Sequence, residues 1–169
     1  MKNTTTKIVI ASMFAALVCV ATMIIKIPSP LMGYLNLGDC IVLLSGWLLP
    51  PMYGFLAAGI GSALADIFSG FILYAPATFL IKGLMALCTY YVFHLLRKSK
   101  KFSISRILSG LTAEILMVFG YYFFEVCLYG LEAPLVNIPA NAIQGAAGLL
   151  MGIILIKIFE KNHITFFEK

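Results

Sequence analysis

Three short stretches place polar side chains inside sequence that is otherwise almost wholly apolar. Lys82 lies in PATFLIKGLM, Glu125 in GYYFFEVCLY, and Asn137, Asn141 and Gln144 in NIPANAIQG. A cation, an anion and a set of amides are tools of solute recognition: the ammonium donates, the carboxylate accepts, and each amide does both. Asn137, Asn141 and Gln144 recur at i, i+4 and i+7 and so share one helical face. Tyr121 shares a face with Glu125, and Tyr122 lies beside it. Tyr74, Tyr34 and Asn36 fall in adjoining loops. Tyrosines offer flat apolar faces with polar tips. A largely apolar and aromatic site with few convergent polar groups suits a small ring-containing solute.

Other chemistries lack their residues. There is no G-x-x-x-x-G-K-[ST] phosphate loop, so ATP hydrolysis by this chain alone is not expected. H-E-x-x-H and G-x-S-x-G are absent, and no catalytic residue is predicted. Cys19, Cys40, Cys88 and Cys127 lie in or beside apolar runs without a C-x-x-C pair. They read as packing residues rather than a disulfide framework or zinc site, and neither a metal nor a cofactor is expected.

The elements that must carry these groups are membrane helices. Hydrophobic residues make up 62% of the 169 and charged residues 11%, where a soluble domain carries roughly 25% charged. Apolar runs between Pro, Gly and polar punctuation predict an all-α, compact bundle of six transmembrane helices forming one domain over residues 1–169. The expected helices cover about 7–27, 39–49, 52–68, 77–97, 105–129 and 139–160. The first run continues from Ile8 to Ile25 without an A-x-A site, so a spanning helix is expected there rather than a signal peptide. Helix 2, ended by Pro50-Pro51, is too short to span by itself.

The net charge of +5 follows the positive-inside rule rather than a nucleic-acid surface. Lys2, Lys7, Lys157, Lys161, Lys169 and the basic loop of Arg97, Lys98, Lys100, Lys101 and Arg106 fall on one side of a six-span topology. Both termini are therefore expected in the cytoplasm, with His94 and His163 near the same side. Lys82, six residues beyond Pro76, then lies ~9 Å below the outer end of helix 4. Glu125 lies ~6 Å below the outer end of helix 5. Charges inside a span are costly and mark function.

Each polar group also has a plainer role open to it. Lys82 could snorkel to the headgroups or form a structural pair with Glu125. Asp39, following Gly38, reads better as the N-cap of helix 2 than as a ligand group, and Asp66 as structural. Glu114, deeper than the rest, could be a packing residue, a proton site or a partner contact. Small residues stripe helix 1 (Ala11 and Ala15, with Ser12 and Ala16 beside them), helix 3 and helix 6, and let backbones approach closely.

The order of several stretches resembles the substrate-binding S components of energy-coupling factor (ECF) vitamin transporters. They are ASMFA in helix 1, PSPLMGYLNLGD, PPMYGFLAAGIGSALAD, YAPATFLIKGLMAL and NIPANAIQGAAG. The resemblance covers nearly the whole chain. It implies a prokaryotic-type, multi-pass cell-membrane protein with an outward-facing pocket built from helices 4 to 6 and outer loops. It also implies delivery of solute by docking on a membrane T subunit that carries two cytoplasmic ATPases, with Ala11 and Ala15 as contacts to that subunit. PATFLIKG and NIPxNxIQG look most like pyridoxine-type or hydroxymethylpyrimidine-type members, while riboflavin and pantothenate binders share the outline. Substrate contacts are then expected from Lys82, Glu125, Asn137, Asn141, Gln144, Tyr121, Tyr122, Tyr74, Tyr34 and Asn36. A proton-coupled secondary transporter using Glu114, an intramembrane enzyme and a purely structural subunit are the competing classes.

Overall fold

A computed structural model describes residues 3–31, 33–98 and 101–162. Lys2, Lys100, His163 and Lys169, used above in the charge and histidine readings, lie outside the described residues. Six helices are present among them: α1 Thr4–Ile24, α2 Gly38–Leu48, α3 Pro51–Phe68, α4 Ala75–Leu96, α5 Phe102–Tyr129 and α6 Ile138–Lys161. A short hairpin, β1 Ile27–Pro28 with β2 Tyr34–Leu35, fills the loop after α1, and a 3₁₀ turn, Ala133–Asn137, leads into α6.

Local chemistry accounts for the helix ends that differ from the sequence expectation. α1 starts at Thr4 rather than Lys7 because Asn3 caps it, its side-chain oxygen accepting from Thr6 N at 3.0 Å. It stops at Ile24 because Ile25 is already extended, leading into the pairing of Ile27 with Leu35. Gly33 closes that hairpin at φ 100°, a conformation that favours glycine. Pro51, Pro76 and Pro139 all lie in first helical turns, where a missing N–H costs nothing. α5 begins at Phe102 rather than Ser105, since Ser105 N already donates to Lys101 O at 3.0 Å.

Five segments are long and apolar enough to cross a membrane: α1, α3, α4, α5 and the 3₁₀ turn continued by α6. α2 has 11 residues and extends only ~16 Å. It is the central helix. Val42 and Leu43 are fully buried, and nine of its residues from Gly38 to Trp47 are buried in all. A helix apolar on every side belongs inside a bundle. The long helices instead leave Ile, Leu, Val and Phe on their outer faces, as lipid demands.

Close backbone approach sets the crossings. A Cβ at Gly61 would lie 2.4 Å from Ala15 O, so α1 and α3 touch through glycine and alanine. Gly59 meets Phe79 and Gly83 meets Phe55, locking α3 to α4. Ala11 is itself buried. Ala11 and the half-buried Ala15 thus lie on the side of α1 that packs toward α3. The small residues left outward on α1 are Ser12 and Ala16.

The start of α1 and the end of α6 lie at one end of the bundle, where Ile10 and Phe159 line a common crevice. Arg106 joins α5 to α6 there through a 2.7 Å ion pair with Glu160 and stacks over Phe102 at 4.3 Å. The opposite end carries the hairpin, the starts of α2, α4 and α6, and the predicted polar groups.

Candidate functional site

The polar side chains occupy two layers below the hairpin. In the deeper layer, α4 brings Lys82 to Asp39 at the start of α2, and the two form an ion pair. The other Asp39 oxygen accepts from Gln144 Nε2 at 2.7 Å. Gln144 Oε1 in turn accepts from Asn36 N at 2.9 Å and Asn36 Nδ2 at 3.3 Å, tying α6 to the hairpin loop. Lys82 also sits over the Tyr121 ring, 5.4 Å from its centroid. Asp39 is 0% exposed, Lys82 2% and Gln144 4%. Charges this deep persist only when paired and hydrogen-bonded, and here they are.

In the shallower layer, Glu125 Oε1 accepts from Asn137 Nδ2 at 2.8 Å and from the Tyr74 hydroxyl at 3.4 Å. Asn137 Oδ1 accepts from Leu31 N at 3.1 Å, a second tether on the loop. Across the pocket, the Tyr34 hydroxyl donates to Asp66 at 2.9 Å and Tyr121 to Thr78 at 3.2 Å. Burial and the neighbouring Asp66 carboxylate push the Tyr34 phenol well above its ordinary range, so it stays a donor. Glu125 Oε2 is buried with no partner among the described residues.

A pocket opens between these layers and the hairpin. Of the predicted contacts, Tyr34, Asn36, Tyr74, Tyr121, Glu125, Asn137, Asn141 and Gln144 line it. Two do not. Lys82 lies one layer beneath, held by Asp39 rather than Glu125, because a carboxylate in direct contact outcompetes one higher up. The Tyr122 hydroxyl donates to Leu131 O at 3.3 Å, outside the pocket. The predicted capping role of Asp39 is also corrected: Leu37 occupies the cap of α2 without a side-chain bond, and Asp39 turns inward. Sequence reasoning left out Ser29, Gly33, Phe71 and Thr78, and assigned Asp66 a structural role, yet all five line the pocket. A hydroxyl or ring in an apolar run gives no signal of where it points.

The cavity measures about 40 Å³. That is room for one or two waters, far below the ~300–1,000 Å³ of small-molecule sites. Groups that could grip a solute are engaged with one another instead. Besides Glu125 Oε2, Asn141 is an exception: half-buried on the pocket wall, its amide makes no side-chain hydrogen bond among the described residues.

Membrane-length helices around a buried polar and aromatic pocket define a membrane-embedded solute-binding protein. The comparison with known families makes this specific: residues 2–161 match the family of ECF-type riboflavin transporter S components, and the chain belongs to that family. It is similar to the solved S component of a bacterial ECF transporter, at 25% identity over 96% of this chain and 99% of that one, with a TM-score of 0.74. It shares the fold of the solved S component for biotin from an ECF-type ABC transporter, at 19% identity over 93% and 95% of the two chains, with a TM-score of 0.56. It is also 32% identical, over 80% of this chain and 88% of the other, to an uncharacterized protein of the gap 3′ region of Pyrococcus woesei. The protein is therefore a multi-pass cell-membrane protein and a vitamin-binding S component of an ECF transporter. Its family is one of transport subunits, not of hydrolases.

Proposed function

We propose that the protein captures riboflavin at the hairpin end of the bundle, facing outward, and delivers it by docking on a membrane T subunit with two cytoplasmic ATPases. The carrying observation is the match to the riboflavin S-component family over residues 2–161. Riboflavin was one of the alternatives left open by the sequence; the pyridoxine-type and hydroxymethylpyrimidine-type reading gains no support from the comparisons. The pocket chemistry suits a flavin. Tyr34, Phe71, Tyr74 and Tyr121 offer ring faces for a flat heteroaromatic system. Glu125 Oε2 awaits a donor and Asn141 has an uncommitted amide, matching a ring edge that carries both N–H and C=O.

Entry requires the loop to yield. Asn36 and Leu31 hold it down through Gln144 and Asn137, and a vitamin-sized guest cannot share a cavity of about 40 Å³. Binding therefore exchanges loop tethers for ligand bonds. Docking is assigned to α1, whose outward face combines Ser12 and Ala16 with Val9, Met13 and Leu17. Small residues flanked by apolar ones admit another helix closely.

Titration of the detergent-purified protein with riboflavin, followed by calorimetry and by quenching of flavin fluorescence, tests the proposal. Pyridoxine, hydroxymethylpyrimidine and pantothenate are titrated in parallel. Saturable one-to-one binding of riboflavin is expected. Saturation by one of the others with no response to riboflavin would overturn the substrate.

A further inference from the structure

A cavity larger than the pocket opens elsewhere among the described residues. A groove of about 570 Å³ runs between α5 and α6 on the outer face of the bundle. Its walls are apolar, with Leu111, Ile115 and Phe119 on one side and Ala146 and Leu150 on the other. The exception is Glu114. It lies twelve residues into α5, ~18 Å from the helix start, and so at mid-membrane depth. It is 5% exposed, and among the described residues neither carboxyl oxygen has a partner. Glycines make room for it: a Cβ at Gly145 would stand 3.1 Å from one oxygen, and a Cβ at Gly148 3.2 Å from the other.

Two unpaired oxygens in hydrocarbon are an expensive arrangement. The nearby Asp39 does not relieve them: its carboxylate, paired with Lys82 and Gln144, only accepts and has no proton to offer. A lipid tail in the groove would leave the carboxyl unanswered. The side chain accepts in either protonation state and, when protonated, also donates, so a group with a donor such as a hydroxyl answers it in both. The volume is that of a small-molecule site, and apolar walls with one placed polar group are its usual lining.

We propose that the α5–α6 groove is a second binding site, reached from the lipid phase, for a bilayer-dissolved small molecule with an apolar body and one hydrogen-bond donor that meets Glu114. The site is separate from the vitamin pocket and does not depend on which vitamin is carried. A second copy of the chain would present another concave groove and fits poorly; a partner helix is the competing occupant.

The test is photolabelling of the full chain in vesicles of phosphatidylcholine and phosphatidylglycerol. One probe is octanol bearing a diazirine, and the other is the same diazirine on octane. Adducts are mapped by mass spectrometry. Octanol is expected to label α5 and α6 around Glu114 roughly tenfold more than octane, the value of one buried hydrogen bond. Glu114→Gln keeps an acceptor and should retain labelling, whereas Glu114→Leu should lose it roughly tenfold. Ala146→Phe fills the groove from the opposite wall and should abolish labelling with Glu114 intact; a thermal unfolding curve checks that each variant is folded. Equal labelling by octane, or undiminished octanol labelling in folded Glu114→Leu or Ala146→Phe, would overturn the proposal. So would protection of the groove in the assembled transporter with no octanol preference in the free chain, which would assign the groove to a subunit contact.

Discussion

Asp39 in the deeper polar layer has partners for both carboxylate oxygens, Lys82 and Gln144. Glu125 in the shallower layer has partners for one oxygen, Tyr74 and Asn137, and none for the other among the described residues. Both residues are almost fully buried, so burial does not separate them. Satisfaction does. A closed network of charges holds helices in register and has nothing left to offer a guest. An open one retains an atom whose bond must come from elsewhere, and Glu125, which carries it, lines the cavity. The deeper layer is thus a clamp joining α2, α4 and α6, and the shallower layer is the recognition surface.

The largest expected effect breaks the clamp. Lys82→Met leaves Asp39 buried without its cation and should cost about 3–5 kcal/mol of stability. The double variant Lys82→Met with Asp39→Leu should recover most of the loss, because uncompensated charge, not missing attraction, is the dominant cost. Unfolding in detergent measures both; a single variant as stable as the parent would refute the clamp. Next in size is Glu125→Gln, which turns an acceptor into a donor at the recognition surface. Riboflavin affinity should fall about 10- to 100-fold, as for hydrogen bonds to a charged group, with the melting temperature little changed. Calorimetry decides, and an unaltered affinity would remove Glu125 from the contact set.

Smaller effects sharpen the same contrast. Asn141→Ala removes an amide that has no side-chain partner among the described residues, so stability should stay within about 0.5 kcal/mol. Affinity should drop by about fivefold, near 1 kcal/mol. A stability loss without an affinity loss would place Asn141 on the structural side. Tyr122→Phe deletes only a rim bond to Leu131 O. It should leave riboflavin affinity within about twofold of the parent, the scale expected of a surface change. A tenfold loss in the same titration would return Tyr122 to the site.

Much of this was legible beforehand where one residue type has one affordable position. The proline pairs and the lengths of the apolar runs mark where helices start and stop, since proline and hydrocarbon thickness leave little choice. The i, i+4, i+7 spacing put Asn137, Asn141 and Gln144 on one face before any coordinates. Asp39 reads as a cap because an acidic residue directly after a glycine fits one, and nothing local reveals a lysine 43 positions away. The stripe of Ala11 and Ala15 is silent for a similar reason: small residues favour close approach but do not name the neighbour.

From its residues alone this chain is bound to be a membrane bundle with polar groups near one end, because the cost of polar atoms in lipid restricts backbone and charge alike. Which polar atoms pair, and which one is left over, is decided by distances between helices far apart in sequence. Only the packed structure sets Lys82 against Asp39, leaves an oxygen of Glu125 unpaired above them, and shows Glu114 lining an outer groove.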